Sequence, residues 1–281
     1  MTSPPPLFDR DTLVARRTRA TRQGAELFLH EEAVFELNER LKDVNRAFTD
    51  IAVVTGFPAF WRTQFPKAVV IPDDDILALE VGAYDLVVHA MCLHQANDPV
   101  GQLVQCRRAL KPDGLLLCVM LGGQTLHELR GALAEAEVSI SGGLSPRINP
   151  MVDIRDAGSL LQRAGLSLPV ADAETRTVSY GSTTSLMRDL RAMGESNAMT
   201  ARARRPSHRA MFEKMATLYP KSEDRVVATF ELIYLTAWAP DKSQPKPLRP
   251  GSATRRLADA LKTTELGEDA RPVKTRGTDE I

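Results

Sequence analysis

The sequence predicts an α/β fold, a doubly wound and mainly parallel sheet with a helical cap or insertion. Two observations carry that expectation. Short apolar runs that do not alternate recur at 51–54, 68–71, 84–91 and 114–121, as strands covered on both faces do. Between the third and fourth runs lies DPVGQLVQCRRALKPDG, in which Val100, Leu103, Val104 and Leu110 have helical spacing before a Lys-Pro-Asp-Gly turn. Strand, helix, turn and strand in that order make a βαβ unit, whose strands are parallel.

The other elements follow in chain order. HEEAVFELNERLKDVN sets Val34, Leu37, Leu41 and Val44 on one helical face, with glutamates at its start as the helix dipole prefers. Further helices are expected at 124–137, 153–165, 182–194 and about 204–218, which makes 124–220 a largely helical cap. RVVATFELIYLTAW (225–238) is long, partly alternating and aromatic, and reads as a late antiparallel strand. APDKSQPKPLRPGSA is Pro-rich and extended, and the chain beyond about 262 is polar and expected to be disordered. The organisation is thus an N-terminal arm and helix (1–48), an α/β domain (49–253) and a polar tail (254–281).

Composition narrows the function classes. Lys plus Arg equals Asp plus Glu at 36 each, so no global field draws the protein to nucleic acid or an anionic membrane. Cys92, Cys106 and Cys118 are too few and too scattered for a disulfide framework or a zinc site, and read as packing residues in a reducing compartment. No apolar run approaches the ~20 residues needed to cross a bilayer. MTSPPPLFDRD lacks an apolar signal core. ARRTRATRQG is Arg-rich like a mitochondrial presequence, but Asp9, Asp11 and three prolines argue against one. The expectation is a soluble, intracellular protein without a metal centre.

Several stretches carry a family resemblance. YDLVVHAMCLHQANDP followed by ALKPDGLLLCVMLGG has the layout of a class I S-adenosylmethionine (SAM)-dependent methyltransferase, with its Rossmann-like sheet. LFDRD, GGQTLHELRGAL, GGLSPRINP, LLQRAG, MRDLRAMGESNA and QPKPLRPGSA, in that order, make the chain resemble the BioC-like branch of that superfamily, which includes the mitochondrial complex I assembly factor. The resemblance implies SAM as cofactor. It implies as substrate a small acid, a carrier-bound acyl group or a protein side chain, or else a role in complex I maturation associated with arginine hydroxylation. It places the protein in the cytoplasm, or in the mitochondrial matrix of a eukaryote.

A SAM site needs a glycine-rich loop after the first strand so that backbone can approach the ligand. IAVVTGFPAFW supplies only Gly56, puts Val53 near the usual acidic position, and sets Phe57 and Pro58 where side chains should be absent. Pro58 also lacks an N–H. The connection from Trp61 to Lys67 is short for a helical crossover, which takes at least ten to twelve residues. No acidic residue follows to hold the ribose hydroxyls. By resemblance, Asp73 with Asp74 stands where a carboxylate reads the adenine amino group; the alternative is a solvated acidic turn capping a helix from Ile76. The residues therefore predict a SAM pocket that is weakened or lost. His94, at the C-terminal edge of the sheet, is either an acid–base group or a polar residue flanking a helix. His89 reads as a buried, hydrogen-bonded histidine. Arg10, Arg16 and Arg17 read as a solvated basic segment, or as partners for an acid. MGESN (193–197) is expected beside the substrate.

Overall fold

The computed structural model describes residues 5–245 and 263. The expected tail from 254 onward, residue 263 apart, lies outside the described residues. Met1–Lys242 forms one compact unit, built on a seven-stranded sheet ordered β2-β1-β3-β4-β7-β5, with the two-residue β6 (Lys221–Ser222) paired to β7. β1 (Ile51–Thr55), β2 (Val69–Pro72), β3 (Tyr84–Ala90) and β4 (Leu110–Leu121) run parallel. β7 (Arg225–Trp238) runs antiparallel to β4 and to β5 (Ser167–Tyr180). As the apolar runs predict, β1, β3 and β4 are adjacent, and their cores are sealed on both faces: Val53, Val87, Val88, Leu115 and Leu116 have no appreciable exposure.

The helices cover the two faces. α4 (Pro99–Ala109) is the predicted crossover between β3 and β4, started by Asp98, whose carboxylate accepts from the Gly101 N–H. α5 (His127–Ser141), α6 (Ile154–Arg163), α7 (Thr183–Ala192) and α8 (Arg209–Leu218) correspond to the four helices expected in the cap. α2 (Phe28–Val44) buries Leu29, Ala33, Val34 and Leu37.

Four features differ from expectation. The segment 167–180, read as part of a helical cap, is a 14-residue strand at the sheet edge. Its alternate residues Asp172, Glu174 and Arg176 are charged because they pair with α2 instead of entering the apolar core, which hides the strand signal. The short β1–β2 connection does hold a helix, α3 (Pro58–Gln64), two turns opened by Pro58 at its start. No helix begins near Ile76; 73–83 is irregular and Ile76 is exposed. The loop is pinned from α4 instead, where Gln102 donates to the Asp74 carbonyl at 3.1 Å and Gln105 accepts from the Leu77 N–H at 2.8 Å. Lastly, the basic N-terminal arm is a helix, α1 (Arg10–Gln23), capped by the Asp9 carboxylate. Its Leu13, Arg17 and Ala20 are buried. A strand-like bridge from Phe8 to Met199, with Asp9 N–H donating to Ala198 and Thr200 N–H to Leu7, stitches the arm to the loop after α7.

Candidate functional site at the C-terminal edge of the sheet

Open α/β sheets bind ligands beyond the carboxyl ends of their strands. Here β1 ends at Thr55, β2 at Pro72, β3 at Ala90 and β4 at Leu121, and the sequence-predicted candidates gather around those ends. The backbone bends sharply at two buried apolar residues there: Met91 (φ 55°) and Leu126 (φ 55°) adopt the left-handed region. Such strain in non-glycine residues persists only where surrounding structure enforces it. Met91 is held by its N–H donating to the Val119 carbonyl, and the 3-10 turn Leu93–Gln95 that follows presents His94 and Gln95.

The centre of the site is a buried charge relay. Arg17 of α1 lies across the end of β1 with 5% exposure. It donates to both Asp73 oxygens, at 2.8 and 2.9 Å, and to Gln95 Oε1 at 2.6 Å. The Gln95 amide then donates to Glu195 Oε2 at 2.7 Å, and Glu195 faces His94 Nε2 at 3.4 Å. The Leu121 N–H points at His94 Nδ1 from 3.5 Å, which sets the proton of a neutral ring on Nε2, toward Glu195. Burial alone would push the Glu195 carboxyl up; His94, then Arg17, overcome that and leave it below its usual range. Asp73 behaves likewise, burial being outweighed by Arg17 and then Arg10. Arg10 donates to the Asp73 carbonyl at 2.6 Å and lies 3.7 Å from the more exposed Asp74. Arg10 and Arg17 are therefore not a solvated segment. Arg16 donates to the Asn197 carbonyl.

Gly56 faces α1. A Cβ on it would lie 2.4 Å from the Arg17 guanidinium carbon, so the glycine admits Arg17 to the end of β1. Gly56→Ala is expected to destabilise the protein by about 1–3 kcal/mol, because the guanidinium is held by several hydrogen bonds and cannot step aside; a chemical-denaturation midpoint equal to wild type would show that it can. The rest of the loop offers few donors, since the Phe57 N–H is taken by Thr55 Oγ1 and Pro58 has none.

Two cavities flank the relay. A cleft of about 650 Å³ lies between α1 and the β1–α3 loop, walled by Val14, Thr18, Phe57, Phe60, Pro72 and Asp74. On the other side a cavity of about 30 Å³ is enclosed by Leu121, Asn149, Glu195, Asn197 and Phe230. The Asn149 amide oxygen is buried there without a hydrogen-bond partner. LSPRINP and MGESN, far apart in sequence, thus meet at one cavity. His89 is buried on β3 and bound to Gln102 at 2.8 Å, and burial pulls it down to about 4. Sequence reasoning missed His30, which accepts from the Trp61 indole at 3.0 Å and is pulled down to about 3 by burial. It also missed Gln95 as the link between Arg17 and Glu195. No local pattern marks either; only the tertiary arrangement does.

The comparisons with known proteins join this geometry to a family. The family model described as a methyltransferase domain matches residues 36–118. The arginine-hydroxylase NDUFAF5 of Homo sapiens mitochondria is 32% identical over 292 residues, spanning 92% of this chain and 85% of the human one. This chain belongs to the NDUFAF5 family. The NDUFAF5 of Danio rerio is 36% identical, over 74% of this chain and 65% of its own length, so the chain spans just under two thirds of that relative. The malonyl-[acyl-carrier protein] O-methyltransferase of Laribacter hongkongensis is 35% identical over 62% of this chain and 57% of its own. Among solved structures, the 1,6-didemethyltoxoflavin-N1-methyltransferase of Burkholderia thailandensis superposes with a TM-score of 0.43 at 12% identity, covering 86% of this chain and 94% of that one. NDUFAF5-family membership and the described sheet make this a class I methyltransferase-fold protein. Among the described residues no helix is long and apolar enough to cross a membrane.

Proposed function

We propose that this chain is an NDUFAF5-type protein that has given up SAM-dependent methyl transfer and acts on a protein side chain at the cavity beside His94 and Glu195. One observation carries the first half: the Arg17 guanidinium lies where backbone would otherwise meet the cofactor, and ties up both oxygens of Asp73. Gly56, Asp73 and Asp74, the candidate cofactor residues, serve the protein's own N-terminal helix in this reading. The residues present do not fit SAM in the pose of a glycine-rich loop, and no chemical step is routed through it. Losing two or three hydrogen bonds of about 1 kcal/mol each would weaken binding by roughly one to two orders of magnitude, before any loss at the ribose.

The second half rests on chemistry at the other cavity. Its polar lining includes the Glu195 carboxylate, held ionised by His94 and Arg17, the unpaired Asn149 oxygen, and Arg147, whose guanidinium is already paired with Glu137 at 2.6 Å. Acceptors of this kind suit a group that only donates, and an arginine side chain is such a group. The substrate class in the relatives' name, arginine, is carried to this chain on that ground, with a respiratory-complex subunit as its bearer. The cavity of about 30 Å³ has room for about one water, so it must open to admit a side chain. His94, the candidate catalytic group, can take a proton at its ring while Glu195 balances the charge. Neither residue supplies an oxidant. The location that goes with this reading is the cytoplasm, or the matrix in a eukaryote.

Calorimetric titration of the purified chain with SAM, and separately with S-adenosylhomocysteine, tests the proposal. The expected result is no saturable heat at micromolar protein. Tight, stoichiometric binding of either compound would return the chain to the active methyltransferases. That second reading is favoured by the cleft of about 650 Å³ that remains beside Gly56.

A further inference from the structure

The charge of this chain is even in total but not in placement. Residues 12–25 and 196–210 hold eight arginines and no acidic residue. The two stretches meet: Arg202 donates to Asp9 at 2.9 Å and to Thr12 at 2.8 Å, and Arg16 donates to the Asn197 carbonyl. The loop after α7 thus lies along the first turns of α1. Arg17, Arg202 and Arg209 have carboxylate partners in Asp73, Asp9 and Glu213, and Arg22 lines the large cleft. Arg16, Arg19, Arg204 and Arg205 remain, without an ion pair among the described residues. Arg19, Arg204 and Arg205 are exposed. Arg16 and Arg19, three residues apart on α1, are neighbours on its surface. Burial, then Arg202 and Arg19, pull the pKa of Arg16 below its usual value. Cations are packed here beside cations.

A second observation sets this basic loop against the candidate site. Asn197, at its start, lines the small cavity, and its amide donates to the Pro146 carbonyl at 2.7 Å. Ser207, near its end, accepts at 3.0 Å from Arg147, which lines the same cavity. Arg202, Arg204 and Arg205 lie between those two anchors. Whatever is held on them is held at the cavity's wall.

We propose that Arg16, Arg19, Arg204 and Arg205 form a docking surface for an acidic segment of the protein whose side chain enters the cavity beside His94. The partner's role as substrate rests on the function proposed above, whereas its acidity follows from the surface alone. Guanidinium groups take carboxylates two bonds at a time, so several close together suit a run of Asp or Glu. Neither arginine-rich stretch contains Phe, Tyr or Trp, so nucleic-acid bases would find nothing to stack on. No large apolar side chain is exposed between Asn197 and Ser207 to anchor the loop in lipid. An acidic polypeptide asks for neither.

The test uses the full chain and a fluorescein-labelled peptide of alternating Glu and Ser, read by fluorescence anisotropy. A peptide of alternating Gln and Ser with the same label is the blank. In about 50 mM NaCl the acidic peptide should bind with a Kd of about 100 μM or tighter, at least tenfold better than the blank. Raising the salt to about 300 mM should weaken it several-fold. Arg204→Glu with Arg205→Glu, and separately Arg19→Glu, should each weaken binding at least fivefold with an unchanged melting curve, since these side chains are exposed. Arg108→Glu, exposed where α4 leads into β4, should leave it unchanged. Equal binding of the two peptides, or binding unaltered in both reversal variants, would overturn the proposal. So would failure of the acidic peptide while the same arginines capture phosphatidylserine vesicles or polyuridine, which would give the surface to lipid or RNA. Tight SAM binding beside a working docking surface would remove the proposed function alone; absent SAM binding with no peptide bound would remove the surface alone.

Discussion

Arg17→Leu is expected to cost the fold about 3–5 kcal/mol, read from urea unfolding at neutral pH. The figure is that for removing one member of a buried ion pair, where the damage comes from the charge left behind. Asp73 would keep Arg10, which is partly exposed, but would lose the two shortest bonds to its carboxylate. Gln95 and Glu195 would lose their link to a cation at the same stroke. Removing both charges together, in Arg17→Leu with Asp73→Leu, should recover much of the loss, because no orphan then remains. The effect has a pH signature. The folded Asp73 carboxyl titrates below its unfolded range of about 3.9. Its contribution is therefore complete above that range and disappears as pH falls through the lower folded value. The gap between wild type and Arg17→Leu should narrow only below about pH 4. A cost under about 1 kcal/mol at pH 7 would mean that α1 is not anchored by this residue.

Trp61→Ala should be comparably severe, about 3–5 kcal/mol as for other large aromatic truncations in cores. Trp61 has no exposure, stacks on Phe65 with ring centroids 5.9 Å apart, and donates its indole N–H to His30. Truncation would leave the His30 acceptor buried and unpaired, and would empty α3, the only helix between β1 and β2. Phe35→Ala, at a position 60% exposed on α2, should change stability by less than about 0.5 kcal/mol and serves as the control. His30 adds an acid limb in the wild type. Burial holds it neutral down to about 3, whereas the unfolded chain protonates it near 6.5. Between those values unfolding takes up a proton, so stability falls as pH drops below about 6.5, by up to about 1.4 kcal/mol per unit. A wild-type protein equally stable at pH 7 and pH 5 would count against a buried neutral His30.

The parts legible in the sequence were those whose signal is local. β1, β3 and β4 are unbroken apolar runs because both faces are covered, and β7 keeps enough alternation and aromatic content to be read as a strand. β5 was illegible because its inward face is charged, and charge at alternate positions looks the same whether it meets water or another helix. α1 failed for a related reason: a run of arginines gives no sign that one of them will be buried 56 residues from its carboxylate. At the site, the loss of glycines around Gly56 was plain in the sequence, but what takes their place was not. His94 and MGESN lie far apart in the sequence and carry separate signals; that Glu195 of MGESN faces His94 is a fact of tertiary structure. His30 and Gln95 lie in stretches with no motif.

The stitch between Phe8 and Met199 also bears on the order in which the molecule assembles during synthesis. The Phe8 amide bonds to Asn97, and its neighbours bond to residues 198–200. The arm can therefore meet Asn97 early, but its partners at 198–200 are made only some 190 residues after it, about 10–40 s later at 5–20 residues per second. β4 likewise lacks its outer neighbour until β7 appears at residue 225. Gln95 can link Arg17 to Glu195 only once residue 195 has been made. During that interval β4 has an open antiparallel edge, and the Asp9 end of α1 lacks its partners at 198–200.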